Sequence, residues 1–272
     1  MKVTEGGGMK HRQLQEEGYP QRASAEQGEY AEACETPRIT ETDITDTNEQ
    51  KEGLLELILA ADNLNRAYRQ VKRNKGAGGI DGMQVEELLP YLKGNQEELI
   101  QSLWDGKYRP KPVRRVEIPK EDGKTRKLGI PTVVDRLIQQ AISQILTPIF
   151  EEGFSDNSYG FRPGRSAHGA LRRCQTYITE GYRYVVDLDI EKYFDTVNQS
   201  KLVQVLSETI KDGRVISLIH KFLRAGIMAE GMFEDSPEGV PQGGICEALH
   251  IPPYAKLRNM QSKPCRSLAI LH

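Results

Sequence analysis

Val185-Val186-Asp187-Leu188-Asp189-Ile190-Glu191-Lys192-Tyr193-Phe194-Asp195 is the stretch from which the rest of the chain can be read. Alternate residues of a strand face opposite ways, so Val186, Leu188 and Ile190 share one face while Val185, Asp187 and Asp189 share the other. A strand over residues 182–190 then sets two carboxylates side by side at its end, which costs free energy unless water or a cation meets them. The residues alone leave two readings open. One is a sheet edge whose acids face water; the other is a site for Mg2+, which takes carboxylate oxygens and holds substrate phosphates at its remaining positions.

Upstream, Leu54, Leu57, Ile58, Ala61, Leu64, Tyr68 and Val71 recur at helical spacing and stop at the glycine-rich loop of residues 74–79, predicting one amphipathic helix. Shorter helices are expected over residues 86–92 and 97–104, the second ending near Gly106. Residues 113–118 and 127–130 flank the turn-forming Glu121-Asp122-Gly123-Lys124 and predict a basic β-hairpin. A helix follows Pro131, with Ile138, Ala141, Ile142, Ile145 and Ile149 on one face, and Ser166 is placed to cap another. Downstream, Asn198 or Ser200 opens a helix, and Asp212 opens the next.

The 272 residues are 38% apolar and 28% charged, enough for a sizeable core but not along the whole length. Residues 1–50 hold 5 Lys/Arg against 11 Asp/Glu and few large apolar side chains, so they are expected to be a disordered acidic extension. Residues 101–140 hold 10 basic against 5 acidic, a balance that suits a polyanion partner or simply a solvated face. No uncharged apolar run approaches a membrane span, and the N-terminus is polar, so a cytoplasmic protein is expected. Cys34, Cys174, Cys246 and Cys265 lie far apart without CxxC spacing, which argues against a disulfide scaffold or a zinc site.

Asp189-Ile190-Glu191-Lys192-Tyr193-Phe194-Asp195 followed by Thr196-Val197, with Gly-Val-Pro-Gln-Gly-Gly at residues 239–244, resembles motifs A and B of reverse transcriptases. Residues 116–120 with Gly123-Lys124, Arg126, residues 128–132 and Asp135-Arg136 resemble the first fingers block of that family. Tyr159-Gly160-Phe161-Arg162-Pro163-Gly164-Arg165-Ser166, then His168, resembles the second. Lys75-Gly76 through Gly79-Ile80-Asp81-Gly82 is similar to the N-terminal block of group II intron reverse transcriptases. Five blocks in the family's order, across residues 51–244, make the resemblance specific where any one alone is weak.

The resemblance implies a role for each matching residue. Asp189 looks like the first catalytic, metal-binding carboxylate, with the Ile190 carbonyl a second oxygen to the same Mg2+. Phe194 resembles the aromatic residue beneath the sugar of the incoming nucleotide, the alternative being an ordinary core phenylalanine. Gln242 resembles the nucleotide contact of the motif B loop. Lys120, Lys124 and Arg126 match the basic residues folded onto the triphosphate, where a planar arginine fork and lysine point charges neutralise phosphate; a solvated hairpin is the other reading. Arg162 and Arg165 suit either template phosphates or structural salt bridges.

After Gln242-Gly243-Gly244 the resemblance stops. The family continues into a long palm helix, whereas this chain reads Ile245-Cys246-Glu247-Ala248-Leu249-His250-Ile251-Pro252-Pro253, whose prolines interrupt a helix. No Tyr-Ala-Asp-Asp occurs in the 272 residues. The expectation is an α+β protein: a reverse transcriptase domain at residues 51–244, the fingers and first half of the palm of an incomplete right-hand polymerase fold with a partial antiparallel palm sheet, followed by a divergent, out-of-frame or disordered tail at 245–272. The intact family is an RNA-directed DNA polymerase with maturase-type intron RNA binding, taking an RNA template (group II intron RNA), a DNA primer, dNTPs and Mg2+. This chain is expected to be a truncated, polymerase-inactive form. The alternatives are a non-enzymatic RNA-binding fragment and a retron or diversity-generating reverse transcriptase.

Overall fold

Local sequence explains most of the helices in the computed structural model, which describes residues 53–119, 125–160, 162–185 and 193–240, without the side chains of Arg126 and Tyr193. The expected acidic extension and the divergent tail lie outside these residues. The first amphipathic run forms two helices where one is expected, α1 (Leu54–Leu59) and α2 (Ala61–Asn74). Ala60 adopts an extended ψ of 139° between them. The break removes a helical partner from the Ile58 carbonyl, and the buried Asn63 amide replaces it, donating to Ile58 O at 2.9 Å and to Ala141 O at 3.0 Å. Periodicity could not reveal this, because the compensating group is a polar side chain inside the core.

After a 3₁₀ turn (Val85–Glu87), the two short helices expected over 86–92 and 97–104 are one, α3 (Leu88–Trp104). Pro90 sits in its first turn, where no N–H is needed, and Gly94 faces open space, so neither breaks it. Next come β1 (Val113–Pro119) and β2 (Thr125–Ile130), the expected hairpin, with Pro119 opposite Thr125 and Arg114 opposite Ile130.

The central helix α4 (Val133–Glu151) is capped by Thr132, whose hydroxyl accepts from Asp135 N at 3.2 Å, and buries Ile138, Ile142 and Leu146 against α1 and α2. Ser166 caps α5 (Ala167–Thr179), Asn198 caps α7 (Gln199–Thr209) and Asp212 caps α8 (Gly213–Leu223), with the short α6 (Tyr193–Thr196) before α7. Asp212 also accepts from Leu55 N at 3.1 Å, so one carboxylate starts α8 and fixes the first turn of α1.

Two three-residue strands, β3 (Ile227–Ala229) and β4 (Met232–Glu234), complete a sheet of order β2-β1-β3-β4. They turn through Glu230 and Gly231, both at positive φ, as a two-residue hairpin of the right-handed twist requires. β1 pairs with β3 in parallel, so this sheet, built on the fingers hairpin, is mixed. Of the strand expected over 182–190, residues 182–185 carry no strand pairing and the remainder lies outside the described residues. Runs as short as β3 and β4 show no usable period, which is why they were not expected.

Candidate functional site

The turn that carries Phe194 and the segment that leads to Gln242 are bonded directly to each other. Gly239 N donates to Val197 O at 2.9 Å, and Val240 N donates to Phe194 O at 2.7 Å. Gly239 has φ of +76°, and a Cβ there would lie 2.8 Å from Asp195 O and 2.9 Å from Phe194 O. The glycine is therefore required twice over, by its left-handed backbone and by the close approach of α6. Phe194 is half-buried and packs against the main apolar cluster, so its ring is partly core and partly open.

Among the candidate residues, the described structure brings together Phe194 and the residues just before Gln242. Asp189, Ile190, Lys120, Lys124 and Gln242 lie outside the described residues, as does Asp187. Arg126 is described by its backbone alone, in β2 opposite Ile118. No cluster of three or more His, Cys, Asp or Glu suited to a metal occurs among the described residues.

The two arginines of the second block separate sharply. Arg162 is the structural one. Its side chain is 5% exposed; Nε donates to both oxygens of Glu151 at 3.0 and 3.2 Å, Nη2 to Glu151 Oε1 at 2.5 Å, and Nη1 to the carbonyls of Ser155 and Ser158. The Phe154 ring lies 4.9 Å from its guanidinium carbon. With its fork turned inward, Arg162 makes the salt bridge that was the alternative reading of this residue. Arg165 remains half-exposed, paired loosely at 3.5 Å to a fully exposed Asp156 and lying over Tyr159. It keeps a charge that an incoming phosphate can reach.

The N-terminal block is docked onto the fingers by arginines. Arg114 donates to Gly78 O from Nε and Nη2 at 3.1 and 2.8 Å, and Arg136 Nη2 donates to Ala77 O at 2.7 Å. Gly79 packs so tightly that a Cβ would meet Thr132 Cα at 2.6 Å. Beneath it lies Asp135, buried, accepting from Thr132 Oγ1 at 2.6 Å, Tyr108 OH at 2.7 Å and Lys111 N at 3.2 Å. Burial raises the Asp135 carboxyl above its ordinary value against these three donors, and raises the Tyr108 phenol as well.

Sequence reasoning missed two features. Arg66, Arg69 and Arg73 share one exposed face of α2 at i, i+3 and i+7 spacing, with no carboxylate ion pair among the described residues; the spacing is legible in the sequence, on the face opposite the apolar positions. Gln199 is the second. Buried at the start of α7, its amide nitrogen meets three carbonyls, at Leu223, Ser236 and Gly239. Nothing local distinguishes it from any polar residue beside a helix cap.

The sequence family described as reverse transcriptase (RNA-dependent DNA polymerase) matches residues 118–249. Protein YkfC of Escherichia coli (strain K12) is 39% identical over 211 residues, covering 75% of this chain and 55% of YkfC. The group II intron-encoded protein LtrA of Lactococcus lactis subsp. cremoris is 38% identical over 220 residues, covering 78% of this chain and 35% of LtrA. A chain of the solved partial Cas6-RT-Cas1--Cas2 complex superposes with a TM-score of 0.50 at 21% identity, over 77% of this chain and 34% of that one, a likeness of fold alone. The protein is a reverse transcriptase by family, an α+β chain carrying part of that fold. Within that class it belongs with the group II intron-encoded reverse transcriptase/maturases. It spans about half or less of the length of these curated relatives. No helix among the described residues is long and apolar enough to cross a membrane.

Proposed function

We propose that this chain is the template- and nucleotide-binding part of an RNA-directed DNA polymerase of a group II intron, binding an RNA template, intron RNA included, together with a DNA primer and a dNTP, without itself extending the primer. The observation that carries this reading is the pair of backbone bonds from Gly239 and Val240 to Val197 and Phe194, which brings the proposed sugar-facing residue and the approach to Gln242 into one unit. Lys120, Lys124 and Arg126 would neutralise the triphosphate, and Arg165 the template backbone. Asp189 and the Ile190 carbonyl are the residues that would hold Mg2+, whose chemistry in phosphoryl transfer is to activate the attacking hydroxyl and steady charge on the leaving group. Carboxylate and carbonyl oxygens are donors of the kind that ion prefers.

The test is binding of an RNA template–DNA primer duplex with a single-stranded template overhang, measured from low to high salt. Arg165 together with the exposed Arg66, Arg69 and Arg73 face of α2 offers four phosphate contacts, which predict a log–log slope of about −3. Salt-insensitive binding, or no binding at low salt, overturns the reading.

A further inference from the structure

We propose that the outer face of α5 is a docking surface for unpaired RNA, continuing from Arg165 along two arginine–tyrosine pairs. The inference rests on the reading of Arg165 given above and carries it along the helix. α5 holds Arg172 and Arg173 and no acidic residue. Gly169, Arg173 and Tyr177 are four residues apart and so share one face, opposite Leu171 and Ile178. Tyr159 stands on Gly169, where a Cβ would lie 3.3 Å from its Cε1, and the Arg165 guanidinium carbon lies 5.3 Å from the Tyr159 ring centroid. Beyond it, the Arg173 guanidinium carbon lies 4.7 Å from the Tyr177 ring centroid. The second pair begins about 6 Å further along the helix axis.

Local sequence holds these rings in place. Gly181, at φ of +98°, ends α5 in a Schellman turn, in which Tyr182 N donates to Tyr177 O and Gly181 N to Ile178 O, both at 3.1 Å. The turn folds Tyr182 back onto Tyr177, with ring centroids 5.8 Å apart and planes at 76°. Asn157 secures the other side, its Oδ1 accepting from Tyr177 OH at 2.9 Å and from Arg173 Nε at 3.4 Å. These bonds leave Nη1 and Nη2 of Arg173 without a hydrogen bond, and Arg172 without an ion pair, among the described residues. The acids beside this face are Asp156, paired with Arg165, and Glu180, so arginines outnumber them. A guanidinium lying on a tyrosine has a second flat face, on which a nucleobase stacks, and Tyr182, 42% exposed, offers another. The free Nη donors and Arg172 take phosphate. A duplex keeps its base faces inside its own stack and can offer this surface only phosphate, whereas unpaired RNA offers both groups.

The test measures, by fluorescence anisotropy on the full chain, the affinity for a labelled oligoadenylate RNA and for the duplex of the same strand with oligouridylate. Tyr182→Leu keeps an apolar contact with Tyr177 and removes the ring. It is expected to weaken oligoadenylate binding about tenfold, the loss of one stacked base, and to leave duplex affinity unchanged. Tyr182→Phe, which keeps the ring, should bind as the unaltered chain does. Arg173→Gln should weaken oligoadenylate binding and flatten its log–log salt slope by about 0.7. Lys201→Gln, which removes an exposed charge on α7, should change neither. Unchanged oligoadenylate affinity in Tyr182→Leu or in Arg173→Gln, or an equal loss for the duplex in Tyr182→Leu, overturns the α5 surface. The proposed function then stands, because Arg165 and the α2 face still hold the primer–template. If the unaltered chain binds neither oligoadenylate nor the primer–template at low salt, the proposed function itself fails and the inference falls with it.

Discussion

The backbone N–H of Val240 donates to the carbonyl of Phe194 at 2.7 Å, joining two segments that the sequence presents as separate motifs. That bond runs between backbone atoms and does not itself use the Phe194 ring. Phe194→Ala is therefore expected to keep the fold of the loop while removing the ring proposed to lie under the sugar. Preference for dATP over ATP, measured by dialysis in the presence of primer–template and Mg2+, should fall about tenfold, since an apolar pocket rejects one hydroxyl by an amount of that order. An unchanged ratio would return Phe194 to a core role.

Arg162 and Arg165, three residues apart, should behave oppositely. Arg162→Ala leaves Glu151, whose side chain is 30% exposed, without its partner, and should cost about 2–3 kcal/mol in urea unfolding. Its effect on the salt slope of RNA binding should be nil where the variant is folded. Arg165→Ala breaks an ion pair with a carboxylate fully open to water and should cost about 1 kcal/mol or less. It should flatten the salt slope by about 0.7. A stable Arg162→Ala with a flattened slope would reverse the assignment.

Two buried carboxylates give the stability opposite dependences on pH. Burial raises Asp135 above its unfolded value, so the folded state binds more protons in that window and this group stabilises the fold progressively as pH falls through it. The stability difference between the wild type and Asp135→Asn, which has no proton to take up, should grow in favour of the wild type from pH 7 toward about pH 4. Burial would also raise Asp212, but bonds from the Arg214 guanidinium and from the backbone N–H groups of Leu55 and Arg214 outweigh it and hold the carboxyl below its ordinary value. Its contribution is complete above about pH 4 and is lost as pH falls through the depressed value, so the advantage over Asp212→Asn should shrink in acid. Urea unfolding at intervals of pH separates the two.

Glycines that look alike in sequence divide by what surrounds them. Gly79→Ala drives a Cβ to 2.6 Å from Thr132 Cα, a backbone atom with little room to move, and should destabilise by about 1–3 kcal/mol. Gly94→Ala meets nothing within 4 Å inside α3 and should stabilise by about 0.5–1 kcal/mol. Thermal melts of the two variants check both signs.

What could be read from the sequence was local. Ser166, Asn198 and Asp212 cap their helices as their side chains predict, and the β1–β2 hairpin forms where the Glu121-Asp122-Gly123-Lys124 turn calls for it. The misses depend on distant partners. Ala60 carries no breaker signal because the α1–α2 junction is held by Asn63 reaching Ala141 across the core, and Gly94 did not stop α3 because packing elsewhere on that helix sustains it. The fate of Arg162 was set by Glu151, and that of Gln199 by carbonyls of α8 and the loop before Val240; no spacing within either motif encodes these. The blocks that carry the family resemblance were legible as residue types, while the fixed geometry around them is built by residues outside the blocks.

In-line transfer of a nucleotide uses two cations about 4 Å apart, one at the attacking oxygen and one at the leaving oxygen. Asp189 is the proposed carboxylate for that pair, and the resemblance assigns its companion to a Tyr-Ala-Asp-Asp sequence that these 272 residues do not contain. Asp195 is a poor substitute: it follows Phe194 on the exposed side of α6, in the turn whose carbonyls face Gly239. Asp187 precedes Asp189 by two residues, which in a strand displaces it about 6–7 Å. The chain is therefore expected to bind primer–template and nucleotide yet add no nucleotide to the primer, even with Mg2+ well above physiological levels. Primer extension with purified chain, with Asp189→Asn as background, measures this. Extension above that background would show that a carboxylate within this chain completes the pair, and Asp187 and Asp195 would be the first to replace by Asn.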